Sequence, residues 1–224
     1  MRFCSLLVLA FSIPAASAHF AYVVPEGPNK GRVVFSDNLK ADEKVTVERL
    51  ANLKLQLVTD GKAEDIAMTL DKKANLYRIE VPGGNARVVA GSINYGVLQR
   101  GDAKPFLLKY YPKAIFGDWS NGAGVMAGKA VPLEISPVKD GAKIRFLVTH
   151  KGQPLAKAEV SVLIPGEEKA KTVATDETGH TEFFEKAGQY GAQTKHAEAT
   201  VGEVDGKKYD EERLYATLVV TIGK

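Results

Sequence analysis

The chain has 224 residues, 45% hydrophobic and 25% charged, with 30 basic and 27 acidic side chains for a formal charge of +3. That balance is ordinary for a folded soluble protein and leaves room for one large β domain or two small ones. The lysines are scattered among acids without a long basic block, which argues against a nucleic-acid partner.

Residues 1–18 read as a secretory leader. Arg2 is a short positive start, Phe3 to Ile13 is an apolar run, Pro14 ends it, and Ala16-Ser17-Ala18 has the small-x-small form cut by signal peptidase. The apolar run is too short for a bilayer-spanning helix, which needs about 20 residues. A cut after Ala18 makes His19 the first residue of the mature chain and removes Cys4, the one cysteine. The mature chain is then expected in a periplasm or outside the cell, with no membrane-spanning segment and no disulfide.

From His19 to Leu133 short strand-like runs alternate with turn signals. Phe20 to Val24 precedes Pro25-Glu26-Gly27-Pro28; Arg32 to Phe35, Lys44 to Val47 and Leu53 to Thr59 follow, then Leu76 to Val81, Arg87 to Gln99 and Phe106 to Tyr111. Valine, isoleucine and tyrosine fill the runs and Gly, Pro and Asp punctuate them, the pattern of a sandwich or barrel. Ala114 to Lys129 reads as a loop or a short helix, with Trp119 expected to plug the first core.

Pro132, Pro137 and Asp140-Gly141 mark a boundary, so the expected domains are 19–133 and 134–224. In the second, Ile144, Phe146 and Val148 share one face, as do Ala158, Val160, Val162 and Ile164, and then Leu214, Ala216, Leu218, Val220 and Ile222. A period of two with turns at Gly152-Gln153-Pro154, Pro165-Gly166 and Asp176-Glu177-Thr178-Gly179 predicts an immunoglobulin-like antiparallel sandwich. The fold class expected is all-β, two sandwich-like domains.

No phosphate-binding glycine loop, Gly-x-Ser-x-Gly elbow or Cys-x-x-Cys pair is present, and no carboxylate pair stands out for acid–base work. The four histidines are the candidates for chemistry. After the cut His19 carries a free α-amine beside its imidazole, and the two nitrogens can chelate one ion; such donors suit Cu(II), Ni(II) and Zn(II). Signal peptidase also tolerates many residues at this place, so a histidine there can be incidental. His196 and Glu198 lie two apart on one expected strand and share a face, either as partial ligands or as a solvated pair. His150 and His180 each adjoin a turn, where a histidine needs no special reason.

Several segments resemble the DUF4198 family of exported bacterial proteins. They are Ala18-His19-Phe20, then Lys104-Pro105-Phe106-Leu107-Leu108-Lys109-Tyr110-Tyr111-Pro112-Lys113-Ala114, then Lys151-Gly152-Gln153-Pro154-Leu155-Ala156 with Ala158-Glu159-Val160 and Thr175-Asp176 to Gly179. The tail match is the best: Lys195-His196-Ala197-Glu198, Gly202 to Tyr209 and Tyr215-Ala216-Thr217-Leu218. The resemblance implies a periplasmic, non-enzymatic metal-binding component of a nickel or cobalt uptake system, partnered by a membrane transporter. His19 and His196 are the positions that map onto the family's histidines. The second histidine that such proteins often carry close to the mature start has no counterpart here, where Phe20 and Ala21 follow His19. The expected metal set is therefore His19, His196 and Glu198. The alternatives are a copper-binding histidine brace, as carrier or oxidative enzyme, and a non-catalytic secreted interaction module.

Overall fold

A computed structural model describes residues 19–59, 62–119, 125–128 and 131–223. The expected leader and its expected cut after Ala18 lie outside the described residues. The chain is all-β, as its alternation predicts. Among the described residues seventeen strands form sheets of four, eight, three and two strands.

The central element is the eight-stranded sheet. Its order is β13 (Lys171–Ala174), β12 (Glu159–Leu163), β14 (Gly188–Glu198), β17 (Glu211–Ile222), β8 (Phe106–Phe116), β7 (Arg87–Leu98), β3 (Lys54–Thr59) and β4 (Lys62–Ile66). Strands from before and after the expected 133/134 boundary meet within it: β8 and β17 pair in parallel, Tyr110 opposite Tyr215 and Ala114 opposite Val219. The other pairings of this sheet are antiparallel.

The middle strands are apolar on both faces, because each face has its own cover. The four-stranded sheet covers one face, in the order β1 (Phe20–Pro25), β2 (Lys30–Ser36), β6 (Leu76–Glu80) and β5 (Thr69–Asp71). Its Phe20, Tyr22, Val33, Phe35, Tyr77 and Ile79 join Val89, Phe106, Leu108, Tyr110, Tyr215 and Val219 in a first core. The opposite face is covered by β9 (Leu133–Asp140), β10 (Lys143–His150) and β11 (Gln153–Pro154). There Ile135, Ile144, Phe146 and Val148 meet Val88, Tyr111, Ile115, Val160, Tyr190, Leu214, Ala216, Leu218 and Val220. This second sandwich is the part for which the sequence predicts an immunoglobulin-like fold. Successive residues of one strand thus belong to different cores, Tyr110 to the first and Tyr111 to the second. β15 (Gly202–Val204) and β16 (Lys207–Tyr209) form a separate hairpin through Asp205-Gly206.

Two sequence expectations are corrected. Lys44 to Val47 is not a strand: Val47–Leu50 is a 3₁₀ turn with Thr46 at its N-cap. The side chain of Asn75 satisfies the backbone here, donating to the carbonyls of Asp42 at 2.6 Å and Val45 at 2.9 Å and accepting from the amide of Val47 at 2.9 Å. Those groups consequently need no ladder. Trp119 is buried at 4% exposure as expected, but in the second core, where its indole donates to the Thr221 carbonyl at 2.9 Å. The chain leaves β8 on the side covered by β9 and β10, which the sequence does not announce.

The charged pair Lys113–Glu134 lies fully inside. Lys113 on β8 and Glu134 on β9 are 1% and 3% exposed, with Nζ 2.6 Å from the Glu134 carboxylate. The ammonium also donates to the Val125 carbonyl at 2.8 Å and Ser136 Oγ at 2.7 Å, and the Ala127 amide donates to Glu134 at 2.6 Å. Burial pulls the Lys113 pKa down, and Glu134 opposes that shift. The network ties residues 125–128 to the sheet, and its members are satisfied only together. Lys113→Met strands a buried carboxylate and is expected to cost about 3–5 kcal/mol in urea unfolding. A loss below about 1 kcal/mol would mean that the ammonium does not hold Glu134 in place.

Candidate metal centre

The inward row of β10 runs Ile144, Phe146, Val148 and ends on His150; the facing row of β14 runs Tyr190, Ala192, Thr194, His196 and Glu198. Each row starts as core and finishes as polar donors. The donors meet at one end of the second sandwich, between the eight-stranded and three-stranded sheets. Register fixes their height: His150 pairs with Leu133, His196 with Leu214 and Glu198 with Glu212.

The ligand-type atoms of His150, His196 and Glu198 lie within 4.8 Å of one another. The two imidazole rings are 4.5 Å apart between centroids, and His150 Nε2 is 3.0 Å from Glu198 Oε1. No hydrogen bond reaches His150 Nε2, although that nitrogen is buried. The nitrogen and the carboxylate oxygen face each other without an aligned proton between them, an arrangement that a shared cation satisfies. Donors around one tetrahedral ion, each at about 2.1 Å, stand about 3.4 Å apart, so side-chain shifts of roughly an ångström close the set.

The electrostatics suit a cation. Burial lowers the His150 pKa, with His196 and Lys151 adding and Glu198 opposing, so the ring is neutral and ready to ligate at pH 7. Glu198 is held below the usual carboxylate range, first by the Lys151 ammonium at 2.7 Å and then by the neighbouring histidines. The phenol of Tyr111 nearby is pushed up by burial and by Glu212 and Glu198. Glu212 is engaged by Lys109 at 2.6 Å and Tyr209 at 3.2 Å.

His196 and Glu198 of the expected set therefore come together, with His150 as the third donor. The parity of β10 could have found His150, since it continues the 144-146-148 row. His19 is drawn elsewhere. Its Nε2 is 2.7 Å from Asp42 and its Nδ1 is 3.8 Å from Asp37, and its ring packs 5.6 Å from Phe35 beside the first core. Lys195, one residue before His196, lies 5.3 Å above the Phe20 ring. Adjacent strand residues point to opposite faces, so His196 and His19 lie on opposite sides of the sheet. His180 stays in its turn, with Nδ1 2.9 Å from Thr178 Oγ1.

The chain matches no protein-family model and no curated protein. Among solved structures it is similar to a two fibronectin type-III domain segment of chicken tenascin, at 11% identity and TM-score 0.22, over 88% of this chain and 97% of that one. It is also similar to the FN1–FN3 domains of chicken CNTN1, at 9% identity and TM-score 0.22, over 89% and 66% of the two chains. Superpositions this loose leave the fold resting on its strand pairing.

The histidine shift sets a pH response. An unfolded His150 binds its proton near the ordinary 6.5 and the folded one only lower. Stability is therefore full above that value and declines as pH falls through the window below it. In thermal melts of the metal-free protein, His150→Gln should flatten the fall in Tm between pH 7 and 5. Parallel profiles for the two proteins would mean that His150 does not carry the response.

Proposed function

We propose that this protein is an exported, non-enzymatic binder of one divalent transition metal, held by His150, His196 and Glu198. The observation that carries the reading is the convergence of those donor atoms within 4.8 Å, from separate sheets, at the open end of a sandwich. Two imidazoles and one carboxylate suit Ni(II), Co(II), Cu(II) or Zn(II) better than calcium or magnesium, which seek shells of oxygen. Nickel or cobalt is favoured by the resemblance of the tail segment, which contains His196 and Glu198. The same resemblance supports capture or delivery of the ion for a membrane transporter.

Export rests on the leader-like residues 1–18. Among the described residues no helix is long and apolar enough to cross a membrane. A copper brace built from His19 and His196 has less support, because the His19 ring is engaged by Asp42 on the other face of the sheet.

Calorimetric titration of the chain starting at His19 tests the reading with Ni(II), Co(II), Cu(II) and Zn(II). One ion should bind, and His196→Ala or His150→Ala should weaken it by at least about 100-fold, more than loss of an outer-shell partner does. An added N-terminal glycine should leave the affinity unchanged. Loss on adding glycine with retention in His196→Ala would move the metal to His19. No binding of any of the ions would reject the metal reading.

A further inference from the structure

Lys151 is the cation nearest the candidate centre, and its place is fixed by the fold. It follows His150 at the end of β10 in a left-handed backbone conformation, φ 51°, and Gly152 continues the turn at φ 79°. Its amide donates to the Pro132 carbonyl at 2.6 Å, which anchors the turn to the start of β9. From there the side chain reaches back across the mouth of the site. Its Nζ lies 2.7 Å from Glu198 Oε1, the oxygen that also faces His150 Nε2 at 3.0 Å.

We propose that Lys151 is a built-in competitor for the metal, its ammonium occupying the Glu198 oxygen that faces His150 Nε2 and is placed to join it on a bound cation. This rests on the metal reading of His150, His196 and Glu198. The geometry is that of an exchange. Glu198 is held, with 18% of its side chain exposed, whereas Lys151 is 64% exposed on a flexible stem and can swing into water without leaving a buried charge behind. An incoming divalent ion takes the oxygen and the ammonium departs hydrated. Lys151 then stands as a like charge beside the bound ion.

Two consequences follow. The site binds more weakly than its donor set allows, which favours release to a recipient. The competition also falls on the carboxylate and not on the imidazoles. Cations that bind chiefly through oxygen are penalised most, and those with strong nitrogen affinity least. Lys151 is thus a specificity-determining residue for the site, not a ligand.

The test is Ni(II) titration of the full mature chain, its Lys151→Ala and Lys151→Arg variants, and the same alanine change in a Glu198→Gln background. Lys151→Ala should bind Ni(II) about tenfold more tightly, combining loss of the exposed ion pair with loss of the repulsion. Lys151→Arg, which keeps the cation, should stay near the parent. In Glu198→Gln the alanine change should give only the smaller part of that gain, the part that comes from relieving the repulsion, because the contested oxygen is no longer charged. A parent that binds Ni(II) with Lys151→Ala equal or weaker would overturn the competitor role while leaving the metal site standing. A full gain persisting in Glu198→Gln would overturn competition at that carboxylate. Absence of binding in both the parent and Lys151→Ala would reject the metal site and the competitor together.

Discussion

The parallel pairing of β8 with β17 is the constraint on which the rest depends. It fuses strands from both halves of the chain into one eight-stranded sheet and obliges each middle strand to be apolar on both faces. Tyr110 and Tyr215 then serve one core, Tyr111 and Ala216 the other. Each covering sheet is necessary, because without it one side of β8, β7 and β17 would face water. Removing Ile144, Phe146 or Val148 from the cover exposes Val88, Tyr111 and Ile115 as well, so damage in the second half is felt in strands of the first.

The same geometry explains two places where carboxylates meet nitrogen donors between the sheets. At one place the two-sided burial closes completely, and Lys113 and Glu134 must satisfy each other with help from Val125, Ala127 and Ser136. At the other, the sandwich opens, the two facing rows end in His150, His196 and Glu198, and water can enter. Closed polar groups make a structural clamp; half-open ones leave donors with unspent capacity. The difference lies in depth along the strands and not in residue type, since both places combine a carboxylate with cationic or proton-accepting nitrogen.

Much of this was legible in the chain. The period-two rows of the second half placed the apolar faces correctly, and β1, β2, β3, β6, β7 and β8 begin near their turn signals. His196 and Glu198 were readable as a same-face pair from their spacing alone. The edge strands β4 and β5 carry no strand signal, because Lys62–Ile66 is exposed and polar and Thr69–Asp71 is only three residues long. The Lys44 to Val47 run has strand-like composition, yet the Asn75 side chain, far along the chain, takes its backbone hydrogen bonds.

The sequence by itself determined the all-β class, the inward parity of the second-half strands and the leader-like start, because these depend on neighbours one, two or three residues away. Only the tertiary structure decided which rows face each other. It set His150 against His196 and Glu198, put Lys151 on the same carboxylate, and sent His19 to the opposite face beside Asp42. Strand parity says that a side chain points inward but not what it meets. That partner is fixed by sheet order and by the parallel joining of β8 to β17, across about a hundred residues of chain.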